Sequence, residues 1–179
     1  MKEKAQTVNN SSVTEKVRMQ FEDPIKMLIR EHEEGKEHLE RLHEAIKSIQ
    51  INGFSAKAFK QISASTQYIS SRMRQHNLKE ERYLFSKLDK HLFESPNAIR
   101  HDRREMWQAF NELMMSVKEV EEGRVHGTTI RELILSAGMV VERFRNQIDK
   151  ENTVVFPLVK RMFTPEEYAL LTKEIALAL

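Results

Sequence analysis

Apolar residues recur every three or four positions along most of this chain, the spacing of helices that bury one face. At about 100° per residue, Ile25, Leu28, His32, Leu39 and Ile46 fall on one stripe, and Ile62, Ile69, Met73, His76, Glu80 and Leu84 on a second. Met106, Phe110, Leu113 and Val117 form a third apolar face, while Leu133, Val140, Phe144, Gln147, Glu151, Val154 and Leu158 share a fourth. Alternating strand patterns are scarce. The stripes predict an all-α chain with four long amphipathic helices.

Capping residues place the ends. Asp23-Pro24 predicts an N-cap and first turn, opening a helix to about Gln50 that Asn52-Gly53 terminates. Ser55 caps a second helix reaching roughly Leu92, and Ser95-Pro96 repeats the cap-plus-proline signal for a third ending near Gly123. Gly127-Thr128 opens a fourth helix through Pro157, where a kink is expected because proline removes a backbone hydrogen bond and crowds the preceding turn. Thr164-Pro165-Glu166-Glu167 caps a short fifth helix to the C-terminus. Short connections favour an up-down-up-down four-helix bundle over 23–163, with an extra helix over 164–179 packed on it. The polar residues 1–22 read as a disordered or partly helical arm.

Composition narrows the function classes. The 179 residues suit one compact unit, and 40% hydrophobic with 31% charged residues, five Gly and four Pro fits a helical bundle. Without cysteine there is no disulfide framework, thiolate metal site or cysteine nucleophile, a pattern that fits a reducing cytoplasm. No apolar run approaches the ~18 residues that span a bilayer, and the first residues lack the apolar core of a secretion signal. A formal charge of +2, with both signs interleaved, does not point to nucleic acid.

The candidate chemistry lies where polar groups interrupt the core faces. SRMRQHNLKEERYLFS in the first half matches RFRNQIDKENTVVFP in the second: Arg72, Arg74, Lys79, Glu80 and Phe85 fall on Arg143, Arg145, Lys150, Glu151 and Phe156, and His76 falls on Gln147. His76 and Glu80 project from one helical face a turn apart. Buried carboxylates without partners cost several kcal/mol or take up protons, so Glu80 and Glu151 on facing seams call for a cation. Imidazole nitrogen with carboxylate oxygen and no sulfur is the donor set of non-haem iron or manganese, with zinc as a further option. Salt bridges to Lys or Arg are the competing explanation. Gly35 leaves room one turn beyond His32. Trp107, Phe110 and Met114 read as core packing, His43 as a core or rim histidine, and His38, His91 and His126 as surface residues.

The segments DPIKMLIREHEEGKEHLERL, RQHNLKEERYLF and QIDKENTVVFPLV resemble the hemerythrin-like, or HHE cation-binding, domain from Asp23 to Met162. The resemblance implies a four-helix bundle with a carboxylate-bridged di-iron centre that binds dioxygen, peroxide or nitric oxide. It assigns His32 from the first helix, His76 with Glu80 from the second, and Glu151 from the fourth as metal ligands. Gln147 stands where the family has histidine, and an amide oxygen is a weaker, neutral donor. For the third helix the resemblance suggests His101, whereas helical geometry brings Asp102 closer to the apolar face.

Two functional readings follow. The first is an asymmetric metal protein, with two irons expected and one as the variant, that carries, senses or scavenges a small diatomic ligand or peroxide, or handles iron. Peroxidase or nitric-oxide-reducing activity is an extension of it that requires turnover with a reductant. The alternative is a helical protein-interaction module with a degenerate metal site.

Overall fold

A computed structural model describes residues 22–92 and 97–178. The arm, apart from Glu22, and the Ser95-Pro96 cap lie outside the described residues. Among the described residues the secondary structure is entirely helical.

Helix α1 spans Pro24–Asn52, two residues beyond the expected Gln50. Asp23 Oδ1 accepts the N–H groups of Ile25 and Lys26 at 2.9 and 3.0 Å, which would otherwise be unpaired at the helix start. Gly53 stops the helix at a φ of 81°, a backbone state that side-chain-bearing residues avoid. Helix α2 is a rod over 56–88 that begins where Ser55 Oγ accepts from the Ala58 N–H at 3.2 Å. It contains two π-helical stretches, Ile69–Met73 and Glu80–Phe85. It ends at Leu88, short of the expected Leu92, because the N–H groups of Lys90 and His91 turn back to the carbonyls of Lys87 and Leu88.

Helix α3 covers Asn97–Glu121 and α4 is a rod over 127–162. The expected disturbance at Pro157 takes the form of a π-helical stretch, Glu151–Val155, immediately before it. A wider turn accommodates the proline ring and its missing N–H. Val155 is 1% exposed and Val154 57% exposed, so Val155, and not the expected Val154, continues the buried stripe from Glu151. Helix α5, Pro165–Leu177, starts with a capping box in which Thr164 and Glu167 satisfy each other's N–H groups.

Helix α1 packs on α2 and α4, and α3 packs on α4 and α2, closing the four rods around a common interior. That interior has two apolar sections. The larger contains Leu39, Ile46, Ile62, Phe110 and Phe144; the smaller contains Ile25, Leu28, Phe85 and Phe156, sealed by Leu171 and Ile175 of α5. Each fully buried Phe or Leu contributes about 1.5–3 kcal/mol, so both sections strongly favour the closed arrangement. Trp107 meets Phe110 and Phe144 edge-on, as core packing predicts, whereas Met114 is 37% exposed. No helix among the described residues is long and apolar enough to cross a membrane.

Candidate metal centre

Between the two apolar sections every rod contributes a polar residue. From α1 comes His32, one helical turn past Leu28; from α2 come His76 and Glu80, between Met73 and Leu84; from α4 come Gln147 and Glu151. Helix α3 supplies Arg103, one turn before Met106 on the stripe that continues to Phe110. All six side chains are buried. Gly35 lets α1 and α2 approach beside this layer, since a Cβ there would lie 2.7 Å from the Met73 sulfur.

His32 Nε2 and His76 Nε2 are 2.8 Å apart. Glu151 Oε2 lies 3.2 Å from His32 Nε2, and Glu80 Oε1 lies 3.3 Å from His76 Nε2. One donor atom from each of these four residues falls within 4.8 Å of the others. The outer ring nitrogens are fixed by acceptors: His32 Nδ1 meets Asn152 Oδ1 at 2.8 Å, and His76 Nδ1 meets Glu31 Oε2 at 2.7 Å. An amide or carboxylate oxygen accepts, so each Nδ1 bears a proton and each ring turns its Nε2 inward. Two lone pairs facing at that separation require a proton or a metal cation between them.

Charge distribution in the layer follows the same pattern. Burial opposes a charged imidazole at His76, but the Glu80 and Glu31 carboxylates outweigh it and hold the group up at about 9. Burial also opposes a charged Glu151, yet the Arg103 guanidinium and His32 outweigh it and hold the carboxyl at about 2. Glu31, half-buried, is likewise held at about 2 against desolvation by His76 and Lys79. The Arg103 guanidinium is desolvated as well, but the carboxylates around it keep it firmly charged.

Arg103 is the residue that periodicity and resemblance both missed. Its Nη2 donates to Glu80 Oε2 at 2.6 Å and to Glu151 Oε1 at 2.5 Å. The ring of Phe85 lies under the guanidinium, 4.6 Å from its carbon, and Nη1 reaches the Asn77 carbonyl and Glu81 Oε2, each at 3.5 Å. A sequence signal for it exists: the offset of 71 residues that superposes Glu80 on Glu151 also superposes His32 on Arg103.

His101 and Asp102 do not join the cluster. His101 lies at the surface with its side chain 60% exposed, 3.9 Å from Glu105 and grouped with Asp102 and Glu105 away from the buried four. About 100° of helical rotation separates Asp102 from Arg103, and Asp102 instead binds Lys150 at the surface. At the same offset it matches Glu31, which binds Lys79, so both acids occupy the outer edge of the layer. Gln147 lies within the cluster, where its amide nitrogen donates to Glu151 Oε1 at 2.5 Å. His38, expected on the surface, is half-buried and stacked on Tyr68, and His91 is half-buried against Glu167.

The four residues fit a cation. Glu80 Oε1 is completely buried yet accepts no hydrogen bond, and it lies beside the facing imidazole nitrogens. Nitrogen and oxygen donors in this ratio suit iron, manganese or zinc. No curated protein matches the chain, and neither does any solved structure. The family model for the hemerythrin HHE cation-binding domain matches residues 23–159, placing all six polar-layer residues within the matched region. The chain therefore belongs to the hemerythrin HHE cation-binding family.

Proposed function

We propose that this chain holds a transition-metal ion, iron first and manganese or zinc after it, in the polar layer, and exposes it to dioxygen, nitric oxide or peroxide. The observation that carries this reading is the facing pair of imidazole nitrogens beside an unpartnered carboxylate oxygen. On this reading residues 23–163 are a hemerythrin-type four-helix bundle, and α5 is an addition that seals one end.

His32, His76, Glu80 and Glu151 would be the ligands. Asn152 and Glu31 keep the Nε2 lone pairs of His32 and His76 directed inward, which strengthens them as donors. The apolar sections above and below exclude bulk water and confine access to small molecules. A surface groove of about 460 Å³ has Arg103 of the polar layer in its lining, together with Glu81 and Trp107. Bound iron would supply reversible coordination and one-electron exchange with such ligands. Carrying, sensing, scavenging and iron handling all draw on that chemistry.

Anaerobic loading with Fe(II), followed by nitric oxide, tests the proposal. Iron should remain with the desalted protein, nitric oxide should change its optical spectrum, and Glu80→Ala and Glu151→Ala should lose the metal. Normal iron content in both variants would contradict it. A second reading, a metal-free interaction module, draws support from Arg103, which binds an oxygen of each glutamate without any metal. It predicts a melting temperature indifferent to chelators and to added metal.

A further inference from the structure

We infer that Arg103 takes the place of a second metal ion, so that the layer holds one cation on the α1–α2 side and a guanidinium on the α3–α4 side. The inference rests on the metal-binding reading above and changes its stoichiometry from the two irons expected from sequence.

The glutamates behave as bridging carboxylates do. Glu80 directs Oε2 to Arg103 and Oε1 towards His76; Glu151 directs Oε1 to Arg103 and Oε2 towards His32. Each joins the imidazole pair to a single nitrogen atom, Arg103 Nη2. A carboxylate bridging two metal ions divides its oxygens in the same way, one to each cation.

The nitrogen donors needed for a second ion are missing. By the offset of 71 residues, the counterparts of His32 and His76 are Arg103 and Gln147. A guanidinium has no lone pair to give, and Gln147, whose amide nitrogen donates to Glu151, offers in place of an imidazole nitrogen only a neutral amide oxygen, buried without a hydrogen-bond partner. The nearby imidazole of His101 faces solvent.

Charge points the same way. With both imidazoles neutral, as metal ligation requires, the two carboxylates and the guanidinium leave a single net negative charge in the layer. One divalent ion reverses this to a single positive charge, whereas two would leave three positive charges in a region of low dielectric. Displacing Arg103 to relieve this is opposed by its attachments to Glu81, the Asn77 carbonyl and the Phe85 ring.

The test is metal stoichiometry on the full chain, loaded anaerobically with Fe(II), desalted and then oxidised for electron paramagnetic resonance. We expect about one iron per chain and the signal of an isolated high-spin ferric ion. The double variant Arg103→His/Gln147→His should rise about twofold in iron and lose signal per iron through coupling of the pair. If that variant does not fold, the wild-type ratio and spectrum decide alone. A wild-type protein with two coupled irons would overturn the inference while leaving the metal-binding reading intact. A folded double variant that stays at one iron would also overturn it. A wild-type protein with no iron and no thermal response to Fe(II), Mn(II) or Zn(II) would remove the inference and the reading together.

Discussion

The hairpins α1–α2 and α3–α4 are built on one plan and carry different chemistry. Glu80 and Glu151 each begin a π-helical stretch, Phe85 and Phe156 follow at the same spacing, and the outer pairs Glu31–Lys79 and Asp102–Lys150 correspond. What differs is the pair of residues facing the glutamates. The first hairpin offers two imidazoles whose lone pairs are directed inward, and the second offers a guanidinium and an amide nitrogen, both donors of hydrogen bonds. The same carboxylates can therefore face a metal on one side and a fixed organic cation on the other. Keeping both glutamates preserves the demand for two positive centres, and only the identity of one centre changes.

The largest expected effect comes from removing the fixed cation. In metal-free protein, Arg103→Leu leaves two buried carboxylates without their shared partner and should cost about 3–5 kcal/mol. A lower denaturant midpoint, partly restored by divalent metal, is the expected result. An unchanged midpoint would show that Arg103 does not neutralise the layer.

Orientation of the rings gives the next comparison. Glu31→Ala removes the acceptor for His76 Nδ1 and should weaken metal binding roughly 10–100-fold, measured by competition with a chelator. Its counterpart Asp102→Ala touches no proposed ligand and should leave affinity unchanged. Equal effects at the two positions would mean that the hairpins do not differ in the way described.

Packing supplies a smaller difference. Gly35→Ala brings a Cβ within 2.7 Å of the Met73 sulfur, so the thioether must move. The strain of about 1 kcal/mol or more is offset by a helix-propensity gain of up to about 1 kcal/mol, leaving a net loss of stability below that of Arg103→Leu. Thermal denaturation should rank the two variants in that order.

The smallest effect concerns α5, which is tied to the first hairpin through Tyr168 to Asp23 and Glu167 to His91. The Thr164 N–H and His91 hold the Glu167 carboxyl below its ordinary value of 4.5. A depressed carboxyl contributes stability above that ordinary value and loses it as pH falls through the folded-state value. Amide protection factors in α5 should therefore fall on acidification before those in α3 do; a fall in both together would argue against a separate attachment.

Much of this arrangement is legible in sequence because it depends on period and local capping. Asp23, Ser55 and the Thr164–Glu167 box mark helix starts through their own side chains. His32, His76, Glu80 and Glu151 can be placed inside because each interrupts an otherwise apolar stripe. Arg103 interrupts one too, but arginine usually lies at the surface, and its burial makes sense only once two glutamates are known to converge on it. The π-helical stretch before Pro157 is hidden for another reason. A wide turn holds more residues than an ordinary one, a change of hydrogen-bond register that leaves both composition and the spacing of apolar residues untouched.

The most direct test of the account is the iron content of His76→Ala and Gln147→Ala, loaded under the same anaerobic conditions as the wild type. The residues occupy matching places in the two hairpins, and one should be a ligand while the other is a hydrogen-bond donor. The account predicts that Gln147→Ala keeps the wild-type iron content and that His76→Ala loses most of it. Equal loss in both variants, or equal retention, would contradict it.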